Sequence, residues 1–223
     1  MNTEKLREKT SELKTIQSEA NYSCNWMIDG LAKLVYAYIL FYKPDLVIHT
    51  GFLWGKSSLF ILEALSDIDE SIETGNFGRD VACVNFILEH SPQKVIGKLI
   101  AIDPNMFNID VDKIVKILDE EYDIDFYKMT SQEYFNKHSS DIVGKYKFIL
   151  GVVDGDHTVN GCMNDLVQLH NLGAKVILVD DTIWLPELNK VCEQFSNKNN
   201  YYYCNNPLYT GLGILVRKEI ESV

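Results

Sequence analysis

Basic residues are scarce in this chain. Twenty-one lysines and arginines stand against 32 aspartates and glutamates, for a net charge of −11. A surface of that sign repels phosphate backbones and anionic lipid headgroups, which excludes nucleic-acid binding and membrane docking as its main task. Cysteines number only five, at 24, 83, 162, 192 and 204, and no pair has the close spacing of a zinc or redox motif. Reduced, buried thiols are therefore expected, in a cytoplasmic protein. Long apolar runs are missing as well. Met1 to Ala20 has no signal-type apolar region, and the stretch Leu31 to Tyr42 is interrupted by Lys33 and too short to span a bilayer. No internal repeat or low-complexity tract is visible. What is present is 46% hydrophobic and 11% aromatic residues over 223 positions, enough for one full-sized domain with a substantial core.

The pattern alternates strands and helices. Residues 2–19 and Trp26 to Tyr42 read as helices, the second stopped by Lys43-Pro44. Leu46 to His49 reads as a short buried strand, followed by the turn Thr50-Gly51-Phe52-Leu53-Trp54-Gly55 and a helix from Ser57 to Leu65. Residues 66–98 are polar and read as an irregular insertion carrying a helical run at Val81 to Glu89. Further strands are expected at Lys98 to Ile102, Ile124 to Met129, Phe148 to Val153 and Lys175 to Val179, with helices at Val111 to Glu121 and Asn160 to Asn171. Tyr201 to Cys204 and Gly213 to Arg217 suit a terminal antiparallel pair. Short, uniformly apolar strands alternating with helices predict an α/β fold: a Rossmann-like, doubly wound sheet, mostly parallel, with an antiparallel C-terminal strand and helices on both faces. Ligands in such sheets sit beyond the carboxyl ends of the strands. Those ends carry a glycine turn after the first strand and acidic residues after the second, fourth and fifth.

The turn Gly51-Phe-Leu-Trp-Gly55-Lys56-Ser57 is one residue too short between its first glycine and the Gly-Lys pair for a Walker A loop. It fits a turn that lets a cofactor approach the backbone, or one needed only for tight packing. Asp103, at the end of the second strand, can accept hydrogen bonds from both hydroxyls of a ribose, or cap the loop before Pro104. Asp154, Asp156, Asp180 and Asp181 end two strands that should be neighbours. Four carboxylates together repel unless a cation sits among them, and oxygen ligands suit Mg²⁺, Mn²⁺ or Ca²⁺. Helix capping is their other reading. His157, beside them, has the ordinary pKa of a general base.

Taken in order, Gly51 to Ser58, Asp103-Pro104, Val153-Asp-Gly-Asp-His157 and Val179-Asp-Asp-Thr182 resemble class I S-adenosylmethionine (SAM)-dependent methyltransferases. The likeness is greatest to the metal-dependent small-molecule O-methyltransferases, including those acting on sugar hydroxyls of natural products. The resemblance implies that Gly51, Phe52, Trp54 and Ser57 hold the methionine end of SAM, Asp103 the ribose, and Thr130 and Ser131 the adenine. It implies that Asp154, Asp180 and Asp181 bind a divalent metal, Mg²⁺ by expectation, and that His157 takes the proton of a small-molecule acceptor. A homodimer is expected by analogy of fold alone. The chain departs from the family at His49, where an acidic residue is usual, and at Leu53, often glycine. Three rivals stay open: an NAD-dependent oxidoreductase, which lacks its Gly-x-Gly-x-x-Gly turn here, a non-catalytic binding protein on the same fold, and a metal-dependent hydroxylase or hydrolase without SAM.

Overall fold

The computed structural model describes residues 3–19, 29–74, 97–105 and 109–218. The chain opens with helices α1 (Thr3–Glu19) and α2 (Asp29–Tyr42), then runs β1 (Leu46–Thr50), α3 (Lys56–Thr74), β2 (Lys98–Ile102), α4 (Val111–Asp119), β3 (Ile124–Tyr127), α5 (Ser131–Ile142), β4 (Ile149–Val153), α6 (Val159–Asn171), β5 (Val176–Asp180), α7 (Pro186–Asn199), β6 (Tyr201–Asn206) and β7 (Leu212–Arg217). The sheet order is β3-β2-β1-β4-β5-β7-β6. Every pairing from β3 to β5 is parallel, and β7 runs antiparallel to both β5 and β6. The expected doubly wound sheet with a reversed C-terminal strand is what the chain forms.

Strand residues alternate between two separate cores. Val47, Leu99, Ala101, Leu150, Val152, Val176 and Leu178 pack with residues of α1, α2, α3 and α4. Leu46, Ile48, Ile100, Ile102, Ile149, Val153, Ile177 and Val179 pack on the other face with residues of α5, α6 and α7. Both faces being covered explains why the central strands β1, β2, β4 and β5 are mostly apolar. Helix α1 seats Leu6, Leu13 and Ile16 in the first core, and Lys5 and Lys9 reach Glu121 at 2.8 and 3.0 Å.

Three expectations need correction. Helix α3 does not end at Leu65 but continues to Thr74, because Ile68 still packs in the core and Asp67 accepts from the Tyr36 hydroxyl of α2. Residues 66–74 therefore belong to a helix and not to an irregular insertion; the helical run expected at 81–89 lies outside the described residues. Helices α5 and α7 were not expected. Lastly, Cys162 and Cys192 are buried thiols as expected, but Cys204 on β6 is exposed. Cys24 and Cys83 lie outside the described residues. Among the described residues no helix is long and apolar enough to cross a membrane.

Strand β1 pairs with β2 on one side and β4 on the other, so the connections leaving it wind in opposite directions. A crevice must open at that switch point, above Thr50 and Val153.

Candidate active site

A cleft of about 1970 Å³ occupies that position, lined from the ends of β1, β2, β4 and β5 and from the loop between β6 and β7. Its floor is the turn 51–55. Gly51 has φ +93°, and a Cβ there would lie 1.9 Å from the carbonyl oxygen of Asp154, so the first turn residue has to be glycine. The Gly51 amide donates to the Ile102 carbonyl at 2.9 Å, and the Asp154 amide to the Thr50 carbonyl at 2.9 Å, tying three strand ends together. Leu53 is held at φ +43°, a left-handed conformation that strains any residue but glycine. Phe52 and Trp54 border the cleft, yet their side chains are buried in the first core. Ser57, also buried, lies in the first turn of α3, where free backbone amides favour an anionic group.

Asp103 lines the same cleft, and both its oxygens already hold backbone. Oδ2 accepts from the Leu53 amide at 2.9 Å and Oδ1 from the Asn105 amide at 2.6 Å. The capping role is thus real, and each carboxylate oxygen has capacity to accept one more hydrogen bond. Thr130 and Ser131 line the wall at the start of α5. Thr130 forms a capping box with Glu133, while the Ser131 hydroxyl donates to Asp165 Oδ1 at 2.6 Å.

His49 lies fully buried beneath the cleft and does not line it. Its Nδ1 is 2.9 Å from Ser58 Oγ; its Nε2, without a hydrogen-bond partner, is 4.0 Å from Asp154 Oδ2. Burial pushes this imidazole down to about 4, so it is neutral near pH 7.

Strands β4 and β5 are neighbours, which brings Asp154, Asp180 and Asp181 together. Burial first, and then the charge of neighbouring carboxylates, pushes the carboxyls of Asp154 and Asp180 up, to about 7 and about 8. Asp181 sits at φ +61° with its Oδ2 3.0 Å from His157 Nδ1, while His157 Nε2 is 3.7 Å from Asp154 Oδ1. The hydrogen bond to Asp181 pushes the imidazole up to about 9. As placed, His157 is the cationic partner of the cluster and not a neutral base. Asp156 separates from the others: it accepts from the Thr158 amide at 2.9 Å ahead of α6 and is exposed. Among the described residues, no three histidine, cysteine or acidic side chains converge in the manner a metal ion needs. The donor set, carboxylate oxygens in a buried pocket of excess negative charge, has the chemistry of a hard-dication site without its closed geometry.

No protein-family model matches the chain, and no curated protein matches it by sequence. Solved structures do. An O-methyltransferase from Bacillus cereus, in complex with S-adenosylhomocysteine (SAH), superposes with a TM-score of 0.68 at 8% identity, over 94% of this chain and 91% of that one. A methyltransferase from Podospora anserina, bound to SAH, gives 0.61 at 11% identity over 98% and 97%. A Staphylococcus aureus protein described as a candidate caffeoyl-CoA O-methyltransferase gives 0.62 at 10% identity over 93% and 91%. The chain has the SAM-dependent methyltransferase fold.

Within that methyltransferase fold, the sequence left several cleft residues unassigned. Lys56, Gln132, Asn160, Asn164, Tyr209 and Thr210 all line it. Thr210 matters most: its hydroxyl donates to Asp180 Oδ1 at 3.3 Å, and its carbonyl accepts from the Ile183 and Trp184 amides at 2.8 and 2.9 Å. The β6–β7 loop thereby braces the loop that follows the acidic pair. A loop contact between segments this distant leaves no periodic signal in sequence. Of the aromatics able to stack on a ring, Trp54 and Tyr201 are buried, and the Tyr201 to Tyr203 run does not line the cleft; Trp184 does, and is 63% exposed.

Proposed function

We propose that this protein is a SAM-dependent O-methyltransferase acting on a hydroxyl of a small molecule, of the sugar or natural-product type, with help from a divalent cation such as Mg²⁺. The observation that carries the reading is the meeting, in one cleft at the topological switch point, of the glycine turn, Asp103 and the acidic trio with His157. A nicotinamide reading leaves that trio without a task.

SAM supplies an electrophilic methyl group, and a dication lowers the pKa of a bound hydroxyl. This chain's residues do the rest. Gly51 and its neighbours bring backbone close to the methionine end, with Ser57 near its carboxylate. Asp103 accepts from the ribose hydroxyls, and Thr130 and Ser131 border the adenine. Asp154, Asp180 and Asp181 would hold the cation. His157 would accept the acceptor hydroxyl's proton in its neutral form, and its basicity, raised by the hydrogen bond to Asp181, would fall wherever that carboxylate served the cation instead. Transfer is an in-line displacement, so its rate depends on how well the walls align acceptor oxygen and methyl carbon.

A second reading has its own support. The 3.0 and 3.7 Å contacts of His157 with Asp181 and Asp154 let an imidazolium balance the cluster in place of a metal, giving a cation-independent enzyme. Calorimetric titration with SAH, with and without Mg²⁺ and then EDTA, tests both. Micromolar binding supports the cofactor, and transfer that stops in EDTA supports the metal. Full transfer in EDTA favours the second reading, and no SAH binding under any condition overturns both.

A further inference from the structure

Charge around the cleft is lopsided. Five carboxylates line it, from Asp103, Asp154, Asp156, Asp180 and Asp181, and Lys56 is the only lysine or arginine among the described lining residues. Lys56 begins α3 beside the glycine turn, on the cofactor's side of the cleft, and is itself buried. His157 is engaged by two of the carboxylates. A dication and a sulfonium in place would do no more than balance this set, leaving no cation for a further anion among the described lining residues.

On the other side of the acidic cluster the wall is neutral and partly apolar: Ile183, Trp184, Leu185, Tyr209 and Thr210. Trp184 and Tyr209 are 63% and 57% exposed. The Trp184 indole is not on a loose loop, since the Ile183 and Trp184 amides are bonded to the Thr210 carbonyl and the Leu185 amide to the Asp181 carbonyl at 2.8 Å. An exposed aromatic face carried on a braced backbone next to a reactive cluster suits a flat ring, neutral or positively charged. An anion brought here would lose hydration without gaining a cationic partner among the described residues and would meet like charge.

Resting on the methyltransferase reading above, we propose that the acceptor is an uncharged or cationic ring compound stacked on Trp184, and that the cleft rejects acceptors bearing carboxylate or phosphate. Caffeoyl-CoA, named for the Staphylococcus aureus structure, carries phosphates and belongs to the rejected class.

Three probes share one diol and differ in charge: 4-methylcatechol, dopamine and 3,4-dihydroxybenzoate. Each is titrated into the protein holding SAH and Mg²⁺, and methyl transfer from SAM is measured in parallel. The neutral and cationic probes should bind at least about tenfold tighter than the anionic one at low salt, with the gap narrowing as salt rises. Trp184→Ala should weaken the two favoured probes by about tenfold while leaving SAH affinity unchanged. Ile183→Lys, at a half-exposed position, should shift preference toward the benzoate. Equal or tighter binding of the benzoate, or no binding of any probe to an SAH-competent protein, overturns this inference alone. A Trp184→Ala variant that changes oligomeric state but not probe affinity also overturns it, assigning the indole to a contact between copies. Failure of SAH itself to bind overturns the methyltransferase reading beneath it.

Discussion

Nδ1 of His157 and Oδ2 of Asp181 lie 3.0 Å apart, across the gap between the loops that leave β4 and β5. Under the proposed function one carboxylate thus faces two tasks, as partner to the imidazole and as ligand to a cation. If His157 moves the acceptor's proton, His157→Ala should cut methyl transfer by about 10²–10⁴-fold. SAH affinity should stay within about twofold, because no proposed cofactor contact is lost. A variant with the wild-type rate would remove His157 from the chemistry.

Asp103 predicts a different pattern. Its carboxylate holds the Leu53 and Asn105 amides, and under the proposed function it also accepts from the ribose. Asp103→Ala should weaken SAH binding by about tenfold or more and also lower thermal stability, since a buried amide loses a charged acceptor. Asp103→Asn keeps one acceptor oxygen and should fall between. Calorimetry and thermal melts on the two variants separate the losses; unchanged SAH affinity in Asp103→Ala would leave Asp103 only its loop-tying role.

The parts of this molecule that were legible in sequence share one property: their signal is local. Leu99 to Ile102 is uniformly apolar, and the expected segment from Lys98 to Ile102 forms β2 with those bounds. The strand-end acids could be placed because parallel strands put their C-terminal residues on one rim. Helix α5 was missed because its sequence is polar, burying only Tyr134, Phe135 and Ile142, and its one clear mark was the Thr130–Glu133 capping box. For α7 the mark was Pro186 in its first turn. Which partner His157 takes was not legible at all, since it depends on two loops meeting across the β4–β5 boundary. The same holds for the bracing of Ile183 and Trp184 by Thr210.

Tyr122 and Glu63 offer a stability test far from the chemistry. The phenol, just after α4, donates to Glu63 Oε2 on α3 at 2.8 Å, and Glu63 is 2% exposed. Burial and the acidic partner push this phenol well above its ordinary value, so it stays a donor at any working pH. Tyr122→Phe removes the donor and leaves a buried carboxylate under-satisfied, at a cost of about 1–3 kcal/mol. Urea unfolding should show a lower midpoint with an unchanged slope. SAH affinity should not move.

Asp165 gives the opposite sign. It is 1% exposed on α6; Ser131 donates to Oδ1, and Oδ2 has no hydrogen-bond partner. Burial pushes its carboxyl above the usual 3.8, more than the bond from Ser131 draws it down. Between the ordinary and the raised value, the folded protein holds a proton that the unfolded chain has released. The stability this group contributes is therefore complete at acid pH and is lost as pH rises through the folded value. Asp165→Asn cannot ionise and keeps an oxygen for Ser131. The variant should match wild type near pH 4 and become progressively more stable than it toward pH 7, in urea titrations at each pH. Parallel curves for the two proteins would mean that Asp165 does not bear a buried charge at neutral pH. Ser131, which the proposed function sets beside the adenine, adds a second readout: the variant should bind SAH with wild-type affinity, because the serine's acceptor is retained.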